Sequence, residues 1–285
     1  MAADGTMLCA WFHGNEGSGT GRNSVGIFVS RLAPGRDRWS APVEVSVRSG
    51  WSAQNPVLYA DAGVVYLIHT EQRANKGQGT SRVVQVTSED GGKSWSAPRV
   101  LNLKTKGEFV KCQVLRNDAG EVSAPRRGGA GAAPGGLTDA KLMLPVYYTP
   151  SGLGSHGDQW SAVRFAKSGF GGQWGGKNRG NLAAISKKGQ RVVQPSLVRT
   201  GPRTFKAFMR DRRAKFVHVS ESTDDGRTWS EPRPTTLPNN NKSIQAATLP
   251  NGDIAIVFGN NSGQMYWPMS IALSSDGGET WTHGA

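Results

Sequence analysis

Amide, basic and aromatic side chains stand at the ends of many apolar segments of this 285-residue sequence. Amides hydrogen-bond to hydroxyl groups, and basic groups attract carboxylates. Their recurrence at the ends of these segments predicts a polar edge of the folded protein, suited to sugar hydroxyls and an acidic group. Residues of the same types also cap strand ends, which is the alternative interpretation. The candidates that precede or open an apolar segment are Asn55, Lys111, Gln194, Asn239, Asn241 and Gln245. Those that close one are His13, Glu16, Glu71, Tyr147, Tyr148, Arg210, Asn260 and Asn261.

The composition predicts an all-β protein. The sequence contains 38 Gly and 15 Pro, and 36% of its residues are hydrophobic. Short strands joined by Gly- and Pro-rich turns have this composition. No apolar run is long enough to cross a membrane, so no membrane span is expected. The first residues also lack the basic start and apolar core of a signal peptide, and the compartment stays open.

The net charge of +13 favours acidic partners through long-range attraction. The basic residues are scattered and no nucleic-acid-binding motif is present, so specific binding of a nucleic acid is not expected. The expected partner is an acidic glycan. A generally basic, solvated surface is the simpler interpretation. Cys9 and Cys112 lie in different repeats and are expected to be free, buried thiols. No Cys/His cluster has the spacing of a zinc site, so neither a metal nor another cofactor is expected.

The pattern Ser-x-Asp-x-Gly-x-x-Trp occurs three times in the sequence. It indicates the kind of strands and turns that hold the candidate site residues in place. Asp and Gly in tandem suit tight turns, because Asp hydrogen-bonds nearby backbone groups and Gly accepts a positive φ. The Trp can fold back over the turn, so each copy predicts a hairpin corner. The fixed residues are Ser88, Asp90, Gly92 and Trp95; Ser222, Asp224, Gly226 and Trp229; and Ser274, Asp276, Gly278 and Trp281.

Two degenerate corners, ending at Trp39 and Trp174, extend the repeat. The corner Trp residues then recur at intervals of roughly fifty residues, with one longer gap, and this is the length of a four-stranded propeller blade. The longer gap contains residues 118–138, a Gly- and Ala-rich stretch that is predicted to be a low-complexity loop insertion on the rim.

The pattern resembles the Asp-box (BNR repeat) of the sialidase (neuraminidase) superfamily, in which the corners lie away from the active site and serve structure. The sequence is similar to a sialidase-like subgroup along nearly its whole length, through Trp-Phe-His-Gly-Asn-Glu-Gly from Trp11, Asn-Pro-Val-Leu from Asn55, Gln-Pro-Ser-Leu from Gln194 and Leu-Pro-Asn-Asn-Asn from Leu237. The resemblance implies a β-propeller of four-stranded blades, with residues 1–285 forming a single domain.

Five blades, or parts of blades, are expected. Blade one lacks its first strand, and with it the Arg-Ile-Pro-type motif that supplies a substrate-binding Arg in sialidase relatives. An open ring leaves bare sheet edges. Either the N-terminal strands close a five-bladed ring, or this sequence is part of a six-bladed parent and is truncated at both ends. We favour the second arrangement.

The sialidase machinery is matched in part. Sialidases bind the substrate carboxylate with an Arg triad, use a Tyr nucleophile assisted by a Glu, and use an Asp as acid/base. Arg210 matches one Arg of the triad, and a planar guanidinium can hold a carboxylate with two parallel hydrogen bonds. Gln194 stands where the assisting Glu is expected, and a glutamine cannot accept a proton from a Tyr.

Other positions depart further from the sialidase pattern. The loop before Val25 offers Glu16 and no Asp, no Arg stands near Trp267, and the Tyr nucleophile is expected beyond Ala285. The candidate catalytic residues are therefore Arg210, for the substrate carboxylate, and Glu16, the carboxylate best placed for proton transfer.

Three functions agree with these residues. The favoured one is a sialidase-like glycoside hydrolase acting on a terminal acidic or other sugar, which predicts that Glu16 and Arg210 face one pocket. The second is a carbohydrate-binding propeller without turnover, which predicts an amide- and aromatic-rich channel mouth. The third is a protein-binding platform, which predicts exposed apolar patches on one face. The oligomeric state stays open.

Overall fold

The computed structural model describes residues 1–14, 25–46, 48–74, 76–101, 106–117, 141–150, 158–167, 174, 182–263 and 267–284. Within these residues, the strands form five antiparallel sheets, and one short 3-10 helix lies between two of the strands. The prediction of an all-β propeller built from four-stranded blades is confirmed. Glu16, the stretch 118–138 and most of the degenerate corner before Trp174 lie outside the described residues.

The sheets follow one another along the chain as blades one to five. Blade one contains β1 (Met7–Gly14), β2 (Val25–Leu32) and β3 (Val43–Ser46). Blade two contains β4 (Trp51–Asp61), β5 (Val64–Arg73), β6 (Arg82–Ser88) and β7 (Arg99–Val100), with the 3-10 helix Gln78–Thr80 between β5 and β6. Blade three contains β8 (Glu108–Val110), β9 (Leu115–Asn117), β10 (Lys141–Tyr148), β11 (Trp160–Lys167) and β12 (Leu182–Ala184).

Blades four and five are regular four-stranded meanders. Blade four contains β13 (Val192–Arg199), β14 (Phe205–Asp211), β15 (Phe216–Ser222) and β16 (Arg233–Pro238). Blade five contains β17 (Gln245–Thr248), β18 (Ile254–Gly259), β19 (Met269–Ser274) and β20 (Thr282–Gly284). In both sheets the spatial order of the strands is their order in the chain.

The core is divided into layers between neighbouring blades. β1 packs against β4, β4 against β8, β10 against β13, and β13 against β17. A strand covered on both faces reads as a continuous apolar run, and β13 and β14 are buried along almost their whole length. One layer joins Met143 of blade three to Val192 and Phe205 of blade four. The blades therefore hold one another in place through their large faces.

Each Asp-box corner is closed by a repeated set of hydrogen bonds. After β15, Ser222 Oγ donates to Asp224 Oδ1 at 2.8 Å and accepts from the Gly226 N–H at 2.9 Å. Asp224 also accepts from the N–H of Thr228 at 2.9 Å. Burial opposes ionisation of Asp224, but the hydrogen bonds from Thr228, Ser222 and Arg227 outweigh it and lower its pKa to about 2. The corners at Ser88 and Ser274 repeat this arrangement.

The glycine of a corner also contacts the preceding blade. Gly278 has a φ of +94°, and a Cβ added there would stand 2.8 Å from Cζ of Phe208 in blade four. The ring of Trp281 meets Phe208 edge-on, with 5.4 Å between the centroids. Gly226 is placed in the same way against Met143 of blade three. Only glycine suits both the backbone angle and the space, so the corners join blades as well as closing hairpins.

Replacement of Ser222 with alanine is expected to lower the free energy of unfolding by about 1–3 kcal/mol, because the buried Gly226 N–H loses its acceptor. Chemical denaturation followed by Trp fluorescence measures this change. Ser262→Ala, in an exposed loop, is the control and should change the free energy by less than about 0.5 kcal/mol. Equal changes in the two variants would show that the corner hydrogen bond contributes nothing.

The inner strand of blade three is broken into two short segments. β8 ends at Val110 and β9 begins at Leu115, and both pair with β10. Cys112 lies in the interruption, where its thiol donates to the carbonyls of Gln194 at 3.6 Å and Ile244 at 3.7 Å. These partners belong to blade four and to the entry of blade five, so the break lets one side chain join three blades.

The two cysteines lie in different environments, and both thiols are free. Cys112 is buried, and burial raises the pKa of its thiol to about 12. Cys9 is exposed, so the prediction that both are buried is wrong for Cys9. The reason is its place on β1, where alternate residues face away from blade two.

Each end blade leaves apolar side chains exposed. In β18 and β19 alternate residues are buried against blade four, whereas Val257, Met269, Ile271 and Leu273 are 39–56% exposed. In blade one, Met7 and Phe12 are exposed to a similar degree. This alternation is that of a sheet with one solvated face. In the described residues no helix is long and apolar enough to cross a membrane.

Candidate functional site

Two inner strands present side chains through the same β-bulge. The register of β4 shifts at Asn55-Pro56, and the register of β13 shifts at Gln194-Pro195. Asn55 and Gln194 have φ values of +56° and +58°, in the left-handed region that side chains other than glycine seldom occupy. Proline suits the next position because it has no N–H to withdraw from the ladder. A bulge redirects the side chain that it carries, and bulges are common beside functional sites.

Gln194 lies at the centre of a polar cluster, and its own hydrogen-bond partners come from blades three and four and from the entry of blade five. Its Oε1 accepts from Ser243 Oγ at 3.0 Å and from Arg210 Nη1 at 3.3 Å. Its Nε2 donates to Tyr147 Oη at 3.4 Å. Tyr147 is the last residue but one of β10 in blade three, Arg210 lies near the end of β14, and Ser243 precedes β17 of blade five. Gln194 is 5% exposed, so its amide mainly orients its neighbours.

Arg210 is held by neutral amides. Its Nε donates to Asn241 Oδ1 at 3.0 Å, beside the contact of Nη1 with Gln194. Asn241 has a φ of +56°, and its N–H donates to Asn239 Oδ1 at 3.1 Å. These two amide oxygens help to fix the plane of the guanidinium. A half-buried guanidinium held in this way can bind a carboxylate with good geometry.

Tyr147 forms a wall of the cluster. Its ring stacks on Phe109, with 5.0 Å between the centroids, and the residue is 4% exposed. Burial raises the pKa of its phenol and outweighs the hydrogen bonds with Gln194 and Asn55. The hydroxyl therefore stays protonated at neutral pH, which suits hydrogen bonding better than nucleophilic attack.

The structure brings five of the residues singled out from the sequence into this cluster. They are Asn55, Tyr147, Gln194, Arg210 and Asn241. Ser243 is an addition that the sequence analysis missed; its position just before an inner strand was the available signal.

Two other candidate amides, those of Asn239 and Gln245, form hydrogen bonds that support the surrounding strands and loops. Asn239 is fully buried, and its Oδ1 accepts from the N–H groups of Asp211 at 3.2 Å and Asn241 at 3.1 Å. Gln245 donates to Ser196 Oγ at 3.1 Å. These contacts order the backbone around the cluster.

Of the remaining candidates, Lys111 borders the cluster through Ser243, and the others lie elsewhere. Lys111 is half-buried and lines a shallow groove with Ser243, Gln245 and Met269. His13 is exposed at the end of β1 and meets Phe28 edge-on, with 5.9 Å between the centroids.

Asn260 follows β18, and its N–H donates to the Pro268 carbonyl at 2.9 Å. Glu16 lies outside the described residues. Within the part of the chain that the structure describes, no group of three His, Cys, Asp or Glu side chains could hold a metal ion.

A Tyr–carboxylate pair is buried within blade three, in the layer that faces blade two. Tyr148 Oη donates to Glu108 Oε1 at 2.9 Å, and Arg164 binds both groups, with its Nη2 at 3.1 Å from Tyr148 Oη. Glu108 is fully buried, and the Tyr148 ring stacks on Trp160. Burial and the Glu108 charge raise the pKa of Tyr148. Tyr148 therefore acts as a protonated donor in a buried cross-link, away from the Gln194 cluster.

Antiparallel blades joined by Asp-box corners, with a polar cluster where the inner strands meet, define a sialidase-like β-propeller. Residues 5–284 match the family described as the BNR repeat-like domain, and the chain belongs to this family.

Solved structures of similar fold include sialidases. The Hadza microbial sialidase Hz136 is 16% identical with a TM-score of 0.66, over 98% of this chain and 56% of that one. The NanB sialidase from Streptococcus pneumoniae is 12% identical with a TM-score of 0.69, over 99% and 59%. The intramolecular trans-sialidase from Ruminococcus gnavus is 12% identical with a TM-score of 0.69, over 99% and 81%.

At these identities the likeness establishes the fold. This chain spans a little over half the length of the first of these proteins. No curated protein matches the sequence.

Proposed function

We propose that this protein binds the carboxylate of a terminal acidic sugar at the Gln194 cluster. The observation that carries the proposal is the guanidinium of Arg210, held by the amide oxygens of Asn241 at 3.0 Å and Gln194 at 3.3 Å. An anion arriving there meets a pre-oriented donor, and pre-orientation lowers the entropic cost of binding. The neighbouring hydroxyls and amides of Tyr147, Ser243 and Asn55 suit the hydroxyls of a sugar.

The carboxylate dependence of binding tests this proposal. Calorimetric titration with a methyl α-sialoside and with its carboxyl methyl ester compares ligands that differ only in the charge. The ester should bind about 10- to 100-fold more weakly, which corresponds to the loss of one charge-assisted pair. Equal affinities would contradict a carboxylate site.

The activity proposed for this site is sialidase-like hydrolysis of the terminal glycosidic bond. β1 and β14 each precede a strand that leads into a corner, so both end at the same rim of the propeller, and Arg210 stands near the end of β14. Glu16 follows the end of β1 in the sequence. A carboxylic acid at this rim could protonate the leaving group, or its carboxylate could activate a water. Gln194 and the protonated Tyr147 do not supply a Tyr–Glu nucleophile pair.

Hydrolysis of fluorogenic α-sialosides and uronosides by Glu16→Gln tests this activity. General acid–base catalysis contributes about 10²- to 10⁴-fold to rate, so turnover should fall by that factor. Glu89→Gln, at an exposed corner position, is the matched control and should keep turnover. Turnover that survives in Glu16→Gln would remove this residue from the mechanism.

Carbohydrate binding without turnover is the second candidate. The amide of Gln194 in place of a carboxylate, together with the protonated Tyr147, favours it. Carboxylate-dependent binding by a protein that hydrolyses none of the glycosides would establish this function.

A further inference from the structure

Three guanidinium groups surround one half-exposed aromatic ring, that of Trp51. The Arg82 Cζ lies 3.5 Å from the ring centroid, the Arg73 Cζ 5.6 Å and the Arg48 Cζ 5.7 Å. All are within cation–π range, which reaches to about 6 Å. Because the Cζ atoms of Arg48 and Arg73 lie 5.7 and 5.6 Å from the same centroid, they are at most about 11 Å apart. We call these four residues the Trp51 cluster.

Neighbouring strands of blade two build this arrangement. Trp51 of β4 pairs directly with Arg73 of β5, and Glu71 of β5 pairs with Arg82 of β6. Directly paired residues, and residues two apart in a strand, share one face of a sheet. Arg48 is fixed by a tight turn, in which the Trp51 N–H donates to the Arg48 carbonyl at 3.0 Å. The cluster is therefore a product of strand register and does not depend on a long loop.

Positive charge exceeds negative charge in this cluster. Glu71 is buried and holds Arg82, with its Oε2 at 2.8 Å from Arg82 Nη2. That pair fixes Arg82 against the ring and neutralises one guanidinium. Arg48 and Arg73 are exposed, and neither forms a salt bridge within the described residues. Like charges gathered without compensation attract an anion.

We propose that the Trp51 cluster binds a carboxylate or sulfate group on a second sugar of an acidic oligosaccharide. Trp51 is the first residue of β4 and precedes the Asn55 bulge in the same strand. The Trp51 cluster therefore lies nearer to the rim of the propeller than the Gln194 cluster does. The guanidiniums of Arg48 and Arg73 pair with the anionic group, and exposed ring surface of Trp51 packs against the sugar. This inference rests on the proposed function, because both sites take an acidic glycan, and it extends the ligand from one sugar to several.

Binding of chondroitin tetrasaccharides tests the inference. A 4-sulfated tetrasaccharide, its desulfated form and neutral chitotetraose are titrated against the wild type and the Arg48→Ala/Arg73→Ala variant. The double variant should bind the acidic tetrasaccharides about 10- to 100-fold more weakly, and its affinity should depend less on salt. A loss confined to the sulfated form identifies sulfate as the bound group, whereas a loss with both acidic forms identifies the carboxylate.

The control is Arg36→Ala/Arg38→Ala, which removes the same charge from exposed positions at the degenerate corner of blade one. Its affinities should stay within about two-fold of wild type, since isolated surface charges contribute little. Equal losses in the two double variants, or no tetrasaccharide binding by the wild type, would overturn the inference. Its failure is separable from failure of the proposed function, because binding of the single sialoside depends on Arg210 and not on Arg48 or Arg73.

Discussion

Replacing Arg210 with alanine is expected to weaken binding of a methyl α-sialoside by about 100-fold or more. Truncating one partner of a desolvated, hydrogen-bonded charge pair costs about 2–5 kcal/mol, and each 1.4 kcal/mol is about a factor of ten in affinity. The fold should persist, because Arg210 is half-buried, the Gln194 amide keeps its hydrogen bond from Ser243, and the Asn241 backbone keeps its hydrogen bond to Asn239. Calorimetric titration measures the affinity, and circular dichroism confirms the fold.

Two variants sharpen this prediction. Arg210→Lys keeps the charge but loses the planar fork, so its affinity should lie between those of the wild type and the alanine variant. Arg227→Ala removes an exposed guanidinium at a corner and should bind as the wild type does. Normal binding by a folded Arg210→Ala protein would exclude the carboxylate clamp.

Replacing Arg164 with methionine is expected to lower the free energy of unfolding by about 3–5 kcal/mol, the usual cost of breaking a buried ion pair by removing one member. Glu108 is fully buried, and Arg164 is only 12% exposed in its side chain. Tyr148 would remain as the hydrogen-bond donor to Glu108, but a hydroxyl does not neutralise a carboxylate. Urea denaturation at neutral pH measures the change.

The matched variant removes the whole buried network. Glu108→Leu/Arg164→Met with Tyr148→Phe leaves none of the three polar side chains in the layer, and apolar replacement of a buried ion pair is often neutral or stabilising. The triple variant should therefore be more stable than Arg164→Met alone. If Arg164→Met lowered the free energy of unfolding by less than about 1 kcal/mol, the pair would contribute no more than a surface salt bridge does, and the prediction would be wrong.

The architecture could be predicted from the sequence because its strongest signal is local. An Asp-box is contained in eight residues, and its hydrogen bonds join positions at most four apart, as between Ser222 and Gly226. The Asn-Pro and Gln-Pro steps within apolar runs were equally local signals, and they coincide with the two bulges.

Contacts between blades could not be predicted in the same way. The same holds for long-range contacts inside one blade, such as the network of Glu108, Tyr148 and Arg164 in blade three, whose members stand up to 56 positions apart and meet through strand register. At the break after Val110, the Cys112 thiol contacts backbone carbonyls that belong to blade four and to the entry of blade five. Candidate site residues could therefore be chosen by type and by their place along the strands, whereas their hydrogen-bond partners required the structure.

The two bulges have a consequence for how such proteins change over generations. Gln194 stands on a bulge, outside the regular ladder, so a substitution there alters the centre of the ring without altering the pairing of a strand. Gln and Glu differ by one group, and one nucleotide change can exchange them. Lineages carrying this scaffold can thus exchange a neutral for an acidic side chain at the Gln194 cluster in a single step while the strand pairing of the propeller persists.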